Sequence, residues 1–217
     1  MDGLARLWRS TVGRKALVAA SGLLLWLWVV LHVAGNLTLF SGPAAADGYA
    51  ASLRRTPGAL WAVRAGLAAA AVLHVAGVVS LARAARAARP RHQAQARRAS
   101  TVAARTMRVG GALLLAFVVY HLLHLIGGFF HPGFHPGHVY DNVVGGLRPT
   151  WVASIYLAGA GLLGLHLFHG LWASTRSLGV WPDRAARRRR PAVVLVSAAV
   201  ALGFASVPIA VLAGWLR

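Results

Sequence analysis

The sequence predicts an all-α integral membrane protein that forms one domain of five transmembrane helices over residues 1–217. Two observations lead to this prediction. The chain of 217 residues is 58% hydrophobic with a mean hydropathy of +0.61, and it contains five long apolar runs. A helix needs about 20 apolar residues to cross the hydrocarbon core. A soluble domain of this length would carry a more polar composition.

Each apolar run is predicted as one membrane span. The first run contains His32 and is too long for the apolar part of a signal peptide, so cleavage is not expected. Pro57 begins the second span, and Pro90 stops any continuation of it. The segment with Gly42-Pro43 and Asp47-Gly48 is predicted as a loop. The five predicted spans are 16–40, 58–82, 109–130, 151–175 and 192–215.

The basic residues predict the orientation of the spans. The net charge is +19, and 18 of the 23 basic residues precede span one or lie between spans two and three or four and five. The positive-inside rule therefore places the N-terminus in the cytoplasm. Basic loops beside an anionic leaflet account for this charge, so no nucleic-acid partner is expected.

The absence of two residue types limits the chemistry. Without cysteine, the chain cannot attach c-type haem, ligate an iron–sulfur cluster or form a disulfide. The chain has no glutamate, and its four aspartates lie outside the predicted spans. A redox centre in the membrane would therefore depend on histidine or methionine.

Spans one to four each contain histidine. The residues are His32, His74, His121 with His124, and His166 with His169. Ionisable side chains at membrane depth usually have a function, because burying them without a partner is costly. With no carboxylate beside them, these histidines are interpreted as neutral imidazoles that ligate a bound group, and not as a proton path of mixed acids and bases.

Two of these histidines are predicted at the same inner depth. His74 lies nine residues before Arg83, and His166 lies ten residues before Arg176. At 1.5 Å per helical residue, both lie roughly 14–15 Å from the cytoplasmic edge. They form the predicted inner pair.

The other two lie farther out. His121 is 13 residues after Arg108, and His32 is 17 residues after Lys15. Both are therefore roughly 20–25 Å from that edge, and form the predicted outer pair. Two layers of two imidazoles are what two stacked haem b groups with paired histidine ligands require.

Two other interpretations of these histidines stay open at this point. Buried histidines can simply hydrogen-bond neighbouring helices. The second interpretation is a histidine-rich metal transporter, although such a protein would be expected to add carboxylate or sulfur ligands.

A short sequence repeats around the histidines. Residues 31–35 and 73–77 both read Leu-His-Val-Ala-Gly, and His124 is likewise followed by Gly127. The glycine is interpreted as room for a flat macrocycle, with an ordinary small-residue helix contact as the alternative.

Histidines also occur between the spans. His131, His135 and His138 lie in a segment rich in proline and glycine, which is predicted as an exposed loop in preference to a metal site. His92 is predicted to be solvated in a basic loop.

Four motifs follow one another along the chain. They are Ser10-Thr11-Val12-Gly13-Arg14-Lys15, the His32-Val33-Ala34-Gly35-Asn36-Leu37 stretch, Tyr120-His121-Leu122-Leu123-His124, and His166-Leu167-Phe168-His169-Gly170-Leu171-Trp172. In their order and spacing they resemble the cytochrome b558 subunit family, the five-helix dihaem membrane anchor of bacterial succinate dehydrogenases and related fumarate reductases. The resemblance covers nearly the whole chain, including Gly203-Phe204-Ala205 and Pro208.

The resemblance implies a non-catalytic electron-transfer subunit of succinate:quinone oxidoreductase in the bacterial plasma membrane. It implies two haem b groups, with His32 and His121 ligating the outer one and His74 and His166 the inner one. The implied partners are a flavoprotein and an iron–sulfur subunit on the cytoplasmic face, with menaquinone as the expected quinone. An oligomer of the complex and a dihaem subunit of another respiratory enzyme stay open.

Further residues receive roles from the resemblance. His124 and His169 are expected beside the ligands, near a haem propionate or a quinone carbonyl, and His124 stays an alternative to His121 as ligand. The cations expected to contact propionates are Arg14, Lys15 and Arg105. The chain departs from some family members in having no carboxylate within the membrane, which leaves an acid-based proton path unsupported.

Overall fold

The computed structural model describes residues 7–88, 102–179 and 186–217, without the side chains of 102–106, 176 and 186–189. His92, Asp2, Asp183, Pro90 and the Arg105 side chain therefore lie outside the described parts. The described chain is helical. Its helices are α1 (Thr11–Leu37), α2 (Pro43–Arg54), α3 (Pro57–Ala87), α4 (Val102–His121), α5 (Val139–Leu147), α6 (Thr150–Ser177) and α7 (Ala186–Leu212).

Five of these helices confirm the predicted spans. In the most apolar stretch of each helix, only 6% to 28% of the residues are buried inside the chain. Such apolar surfaces are stable in hydrocarbon but not in water. The protein is therefore described as a helical, multi-pass membrane protein. The five apolar segments are Thr11–Ser41, Pro57–Ala87, Met107–Ile126, Thr150–Thr175 and Arg190–Leu212.

The helices extend beyond the predicted spans at the end of the bundle that carries most arginines, which we call the basic end. Helix α1 begins at Thr11, and α7 begins at Ala186. Hydropathy locates the hydrocarbon core, whereas a helix continues until its backbone is capped. At α1 the cap is Ser10, whose hydroxyl accepts the Gly13 N–H at 2.8 Å.

Two short helices lie at the opposite end, and the first of them corrects the prediction of a loop there. Helix α2 occupies the segment predicted as a loop from Gly42-Pro43 and Asp47-Gly48. Gly42 makes the turn at a φ of 94°, Pro43 starts the helix, and three alanines continue it. Helix α5 follows the proline-rich loop, in which His135 and His138 are exposed as predicted.

A hydrophobic core joins α2, α5 and the 3-10 turn Thr38–Ser41 to the ends of α6 and α7. We call α2, α5 and this turn the cap. Leu39, Val144 and Leu147 are each 2% exposed, and Val152 and Ala210 pack against them. The Asp47 carboxylate accepts the backbone N–H of Tyr140 at 3.0 Å, and so fastens α2 to the first turn of α5.

The spans pack through small residues. Helix α1 contacts α3, α6 and α7, and α6 contacts α4 and α7. A Cβ added to Gly77 would lie 2.5 Å from Val18 Cγ2, and one added to Gly35 would lie 2.7 Å from the Tyr49 ring. A Cβ on Gly127 would meet Phe129 at 2.7 Å. The interpretation of these repeat glycines as room for a macrocycle is therefore wrong, because protein side chains fill that room.

Candidate functional site

The inner pair of histidines meets across the bundle. His74 on α3 and His166 on α6 have ring centroids 6.3 Å apart, with an angle of 67° between the ring planes. Within the described residues α3 packs on α1 and α2, and forms no extended contact with α6. The two imidazoles therefore reach towards each other across a gap between separated helices.

The surroundings of His74 orient its ring. Its Nδ1 lies 3.1 Å from the carbonyl oxygen of Val18 and 3.4 Å from Ser21 Oγ. A ring N–H donated to the carbonyl leaves Nε2 with a free lone pair, the arrangement found in metal-ligating histidines. His166 Nδ1 is buried and has no hydrogen-bond partner among the described residues.

Two glycines that the sequence did not single out border the inner pair. A Cβ on Gly22 would lie 3.0 Å from His74 Cε1, and one on Gly111 would lie 3.6 Å from His166 Cε1. Each glycine thus leaves room for the imidazole that packs against it from another helix. Gly22 follows a serine, and Gly111 belongs to a Gly-Gly step, signals that are also common in ordinary membrane helices.

The outer pair meets in the same way inside an aromatic enclosure. His32 on α1 and His121 on α4 have centroids 5.9 Å apart and an interplanar angle of 71°. Trp28 lies parallel to the His32 ring at 6.1 Å, Phe204 lies 5.5 Å from it, and Tyr156 lies 5.9 Å from His121. These rings surround the pair with apolar surface and restrict the orientations of the imidazoles.

His124 is held away from this pair by a local change in the helix. Helix α4 passes directly into a π-helix, Leu122–Ile126, which changes the direction of the side chains that follow His121. His124 is 1% exposed, and its Nδ1 lies 3.0 Å from the Tyr156 hydroxyl. Its ring is parallel to that of Tyr120, with centroids 5.4 Å apart.

His131 corrects a prediction, because it is buried and not exposed. It is 8% exposed, and its ring stacks on His124 with centroids 5.2 Å apart. Its Nε2 donates to the Asn142 carbonyl at 2.7 Å, while its Nδ1 is buried without a partner among the described residues. Asn142 also exchanges two hydrogen bonds with the backbone of His135, so α5 fixes the loop.

The remaining predicted site residues make contacts outside the two pairs. His169 Nδ1 donates to the Leu165 carbonyl at 2.9 Å, within its own helix. Arg14 Nη1 donates to Ser80 Oγ at 2.7 Å, and Lys15 is exposed. The propionate contacts expected for Arg14 and Lys15 remain predictions, and the Arg105 side chain is outside the described parts.

The donor set consists of pairs. In the described ranges no three His, Cys, Asp or Glu residues gather where they could hold one metal ion. Zinc sites usually take three or four protein ligands, whereas a haem iron takes at most two from the protein. The arrangement therefore offers two opposed imidazoles at each of two levels.

Comparisons with protein-family models, with curated proteins and with solved structures found no match to this chain.

Proposed function

We propose that this chain is the membrane-anchor cytochrome b subunit of a succinate:quinone oxidoreductase and holds two haem b groups. The observation that carries the proposal is the spacing of the two histidine pairs, with ring centroids 5.9 Å and 6.3 Å apart. With metal–nitrogen bonds of about 2 Å, two imidazoles on opposite sides of one iron have ring centroids about 6 Å apart.

The residues around the pairs fit this group. The helices of each pair stand apart, α3 from α6 and α1 from α4, which suits a wide, flat ligand between them. The Val18 carbonyl would keep His74 Nε2 free for iron, and Gly22 and Gly111 leave room for the two imidazoles that would hold the haem. The buried Nδ1 of His166 has no hydrogen-bond partner among the described residues, which fits an imidazole that binds a cofactor and not a neighbouring helix.

His121 is the better supported ligand of span three. Its ring faces His32, whereas His124 is bonded to Tyr156 and stacked on His131. We propose that His124 positions Tyr156, whose ring lies against His121. His124 would then act through Tyr156 on the orientation of the ligand.

When bound, haem b would supply one-electron transfer, and the pairs His32 with His121 and His74 with His166 would hold it. The protein's part is to hold each imidazole and to exclude water with the aromatic rings around the outer pair. Menaquinone as the quinone, and a flavoprotein and an iron–sulfur subunit at the basic end, follow from the motif resemblance. The same resemblance and the positive-inside pattern support a bacterial plasma membrane with the N-terminus in the cytoplasm.

Haem quantification on the purified chain tests the first part. A pyridine haemochrome assay should give about two haem b per chain, the number that two histidine pairs can ligate. His135→Ala is the matched control, since His135 is exposed in the proline-rich loop before α5. A chain that carries zinc or copper and no haem would instead indicate a metal transporter.

Co-purification tests the second part. From native membranes the chain should bring down a flavoprotein and an iron–sulfur subunit that reduce quinone with succinate. Two haems with partners that lack succinate activity would assign the chain to another respiratory oxidoreductase.

A further inference from the structure

A cleft of about 600 Å³ lies at the basic end, between the start of α1 and the end of α3. Trp8, Arg14, Ser80 and Arg83 provide its polar and aromatic walls, and Ala76 and Val79 provide apolar surface. It lies where the apolar part of α3 gives way to arginines, which is the depth of the lipid headgroups.

The N-terminal backbone is folded so that Trp8 borders this cleft. A Cβ on Gly13 would collide with the Leu7 carbonyl oxygen, so the segment before α1 lies directly against the helix because residue 13 is glycine. Tryptophan favours the interface between hydrocarbon and water. Trp8 is 36% exposed, in keeping with a position at that boundary.

The cleft holds positive charge without an acidic partner among the described residues. Arg14 is half-buried, and its guanidinium donates to Ser80, while its buried Nε has no partner in the described parts of the chain. Arg83 is exposed, and the salt bridge within the described parts joins His138 and Asp141 in the cap instead. A guanidinium removed from water is stabilised by an anion that accepts two of its N–H groups.

Arg83, one wall of the cleft, lies on the far side of α3 from the inner histidine pair. Arg83 follows His74 by nine residues, which at about 100° per residue places the two on opposite sides of α3. An anion bound beside Arg83 is thus on the far side of the helix from the proposed haem. The apolar surface of Ala76 and Val79 continues from the arginines towards the hydrocarbon core.

We propose that this cleft binds the headgroup of an anionic phospholipid, with Arg14 and Arg83 on the phosphate, Ser80 beside it and an acyl chain along Ala76 and Val79. The combination of two guanidiniums, an interfacial tryptophan and an apolar floor matches a charged headgroup with an attached chain. This site gives Arg14 to a lipid phosphate in place of the haem propionate that the motif resemblance implies, and it requires no succinate dehydrogenase complex.

The test compares lipids on the full-length chain purified in detergent. Native mass spectrometry should show retained phosphatidylglycerol in preference to phosphatidylcholine, and added phosphatidylglycerol should raise the Tm. Arg83→Gln should weaken phosphatidylglycerol binding about fivefold, the effect of one arginine near an anionic lipid. Ser80→Ala, which removes the partner of Arg14, should weaken it less.

Arg86→Gln is the matched control, because Arg86 is exposed on the last turn of α3 but does not line the cleft. It should leave the lipid preference unchanged. Equal retention of the two lipids, or equal loss in Arg83→Gln and Arg86→Gln, would overturn the proposal. Displacement of the lipid by millimolar inorganic phosphate would show a phosphate site in its place, and loss of a haem in Arg83→Gln would assign the cleft to the haem.

Discussion

The imidazoles of His32 and His121 face each other at 5.9 Å, although they lie on helices that do not pack extensively on each other. Three residues beyond His121, His124 has its ring in a separate contact with Tyr156 and His131. The π-helix that begins at Leu122 separates the two directions. His121 thus meets His32 of span one, whereas His124 contacts Tyr156 of α6 and His131 of the proline-rich loop.

The outer pair leads to the first prediction. His32→Ala and His121→Ala should each lower the haem content from about two to one, because one axial ligand of the same haem is removed. Their reduced-minus-oxidised spectra should match, and the remaining haem should stay reducible by succinate. If His124→Ala shares the His32→Ala phenotype while His121→Ala keeps two haems, the ligand assignment is wrong.

The inner pair is expected to behave in the same way with the other haem. His74→Ala and His166→Ala should lose a haem whose spectrum differs from the one lost in the outer-pair variants. Delivery of electrons to quinone should stop, because the proposed inner haem would be the one nearer the iron–sulfur subunit expected at the basic end. Haem quantification with succinate:quinone activity measures both effects, and two haems in either variant would exclude that histidine as an axial ligand.

Tyr156→Phe tests the buried contact with His124. The substitution leaves His124 Nδ1 without its partner at a 1% exposed site, which should cost about 1–3 kcal/mol of stability. Thermal unfolding in detergent, followed by circular dichroism, measures the loss.

Tyr120→Phe is the control for that experiment. The Tyr120 hydroxyl is buried and has no partner among the residues described, so its removal should cost little. Equal destabilisation by the two variants would contradict an important hydrogen bond between Tyr156 and His124.

Asp47→Ala should loosen the cap. It removes the acceptor of the Tyr140 N–H in the first turn of α5, at a cost of about 1–3 kcal/mol. Limited proteolysis of the cap and the Tm in detergent report the change. Asp141→Ala should cost less than about 1 kcal/mol, since its contact with His138 is exposed and 3.8 Å long.

Gly77→Ala should weaken the contact between α1 and α3. The new Cβ would lie 2.5 Å from Val18 Cγ2, and overpacking of this kind costs about 1–3 kcal/mol. Gly66→Ala on the same helix has no atom within 4 Å of the new Cβ and should be neutral or stabilising. A Tm that falls equally in both variants would show that helix propensity, not packing, decides the effect.

The sequence by itself determined the number of spans, and it predicted a depth for each histidine. A bilayer makes this possible, because a spanning helix converts residue number into depth at a constant rise. Residues at equal depth on different helices can therefore be paired before the helices are placed. The contacts of His74 with His166 and of His32 with His121 join the residues that this argument paired.

The tertiary structure decided which neighbours each side chain meets around its helix axis and how the segments outside the spans fold. A π-helix changes the direction of His124 relative to His121. No residue pattern around Leu122 predicted this π-helix. The roles of Gly22, Gly77 and Tyr156 depend on which helix lies opposite each of them. Depth follows from local hydropathy, whereas lateral neighbours follow from the packing of all the helices together.

The cap shows the same division outside the spans. Proline and glycine predicted a loop where α2 forms, and α5 was not predicted. Both helices share a core with α6 and α7, and Asp47 of α2 caps α5. The same packing buries His131. These stabilising contacts join residues far apart in sequence, so local composition could not reveal them, and only the assembled bundle determined the structure of the cap.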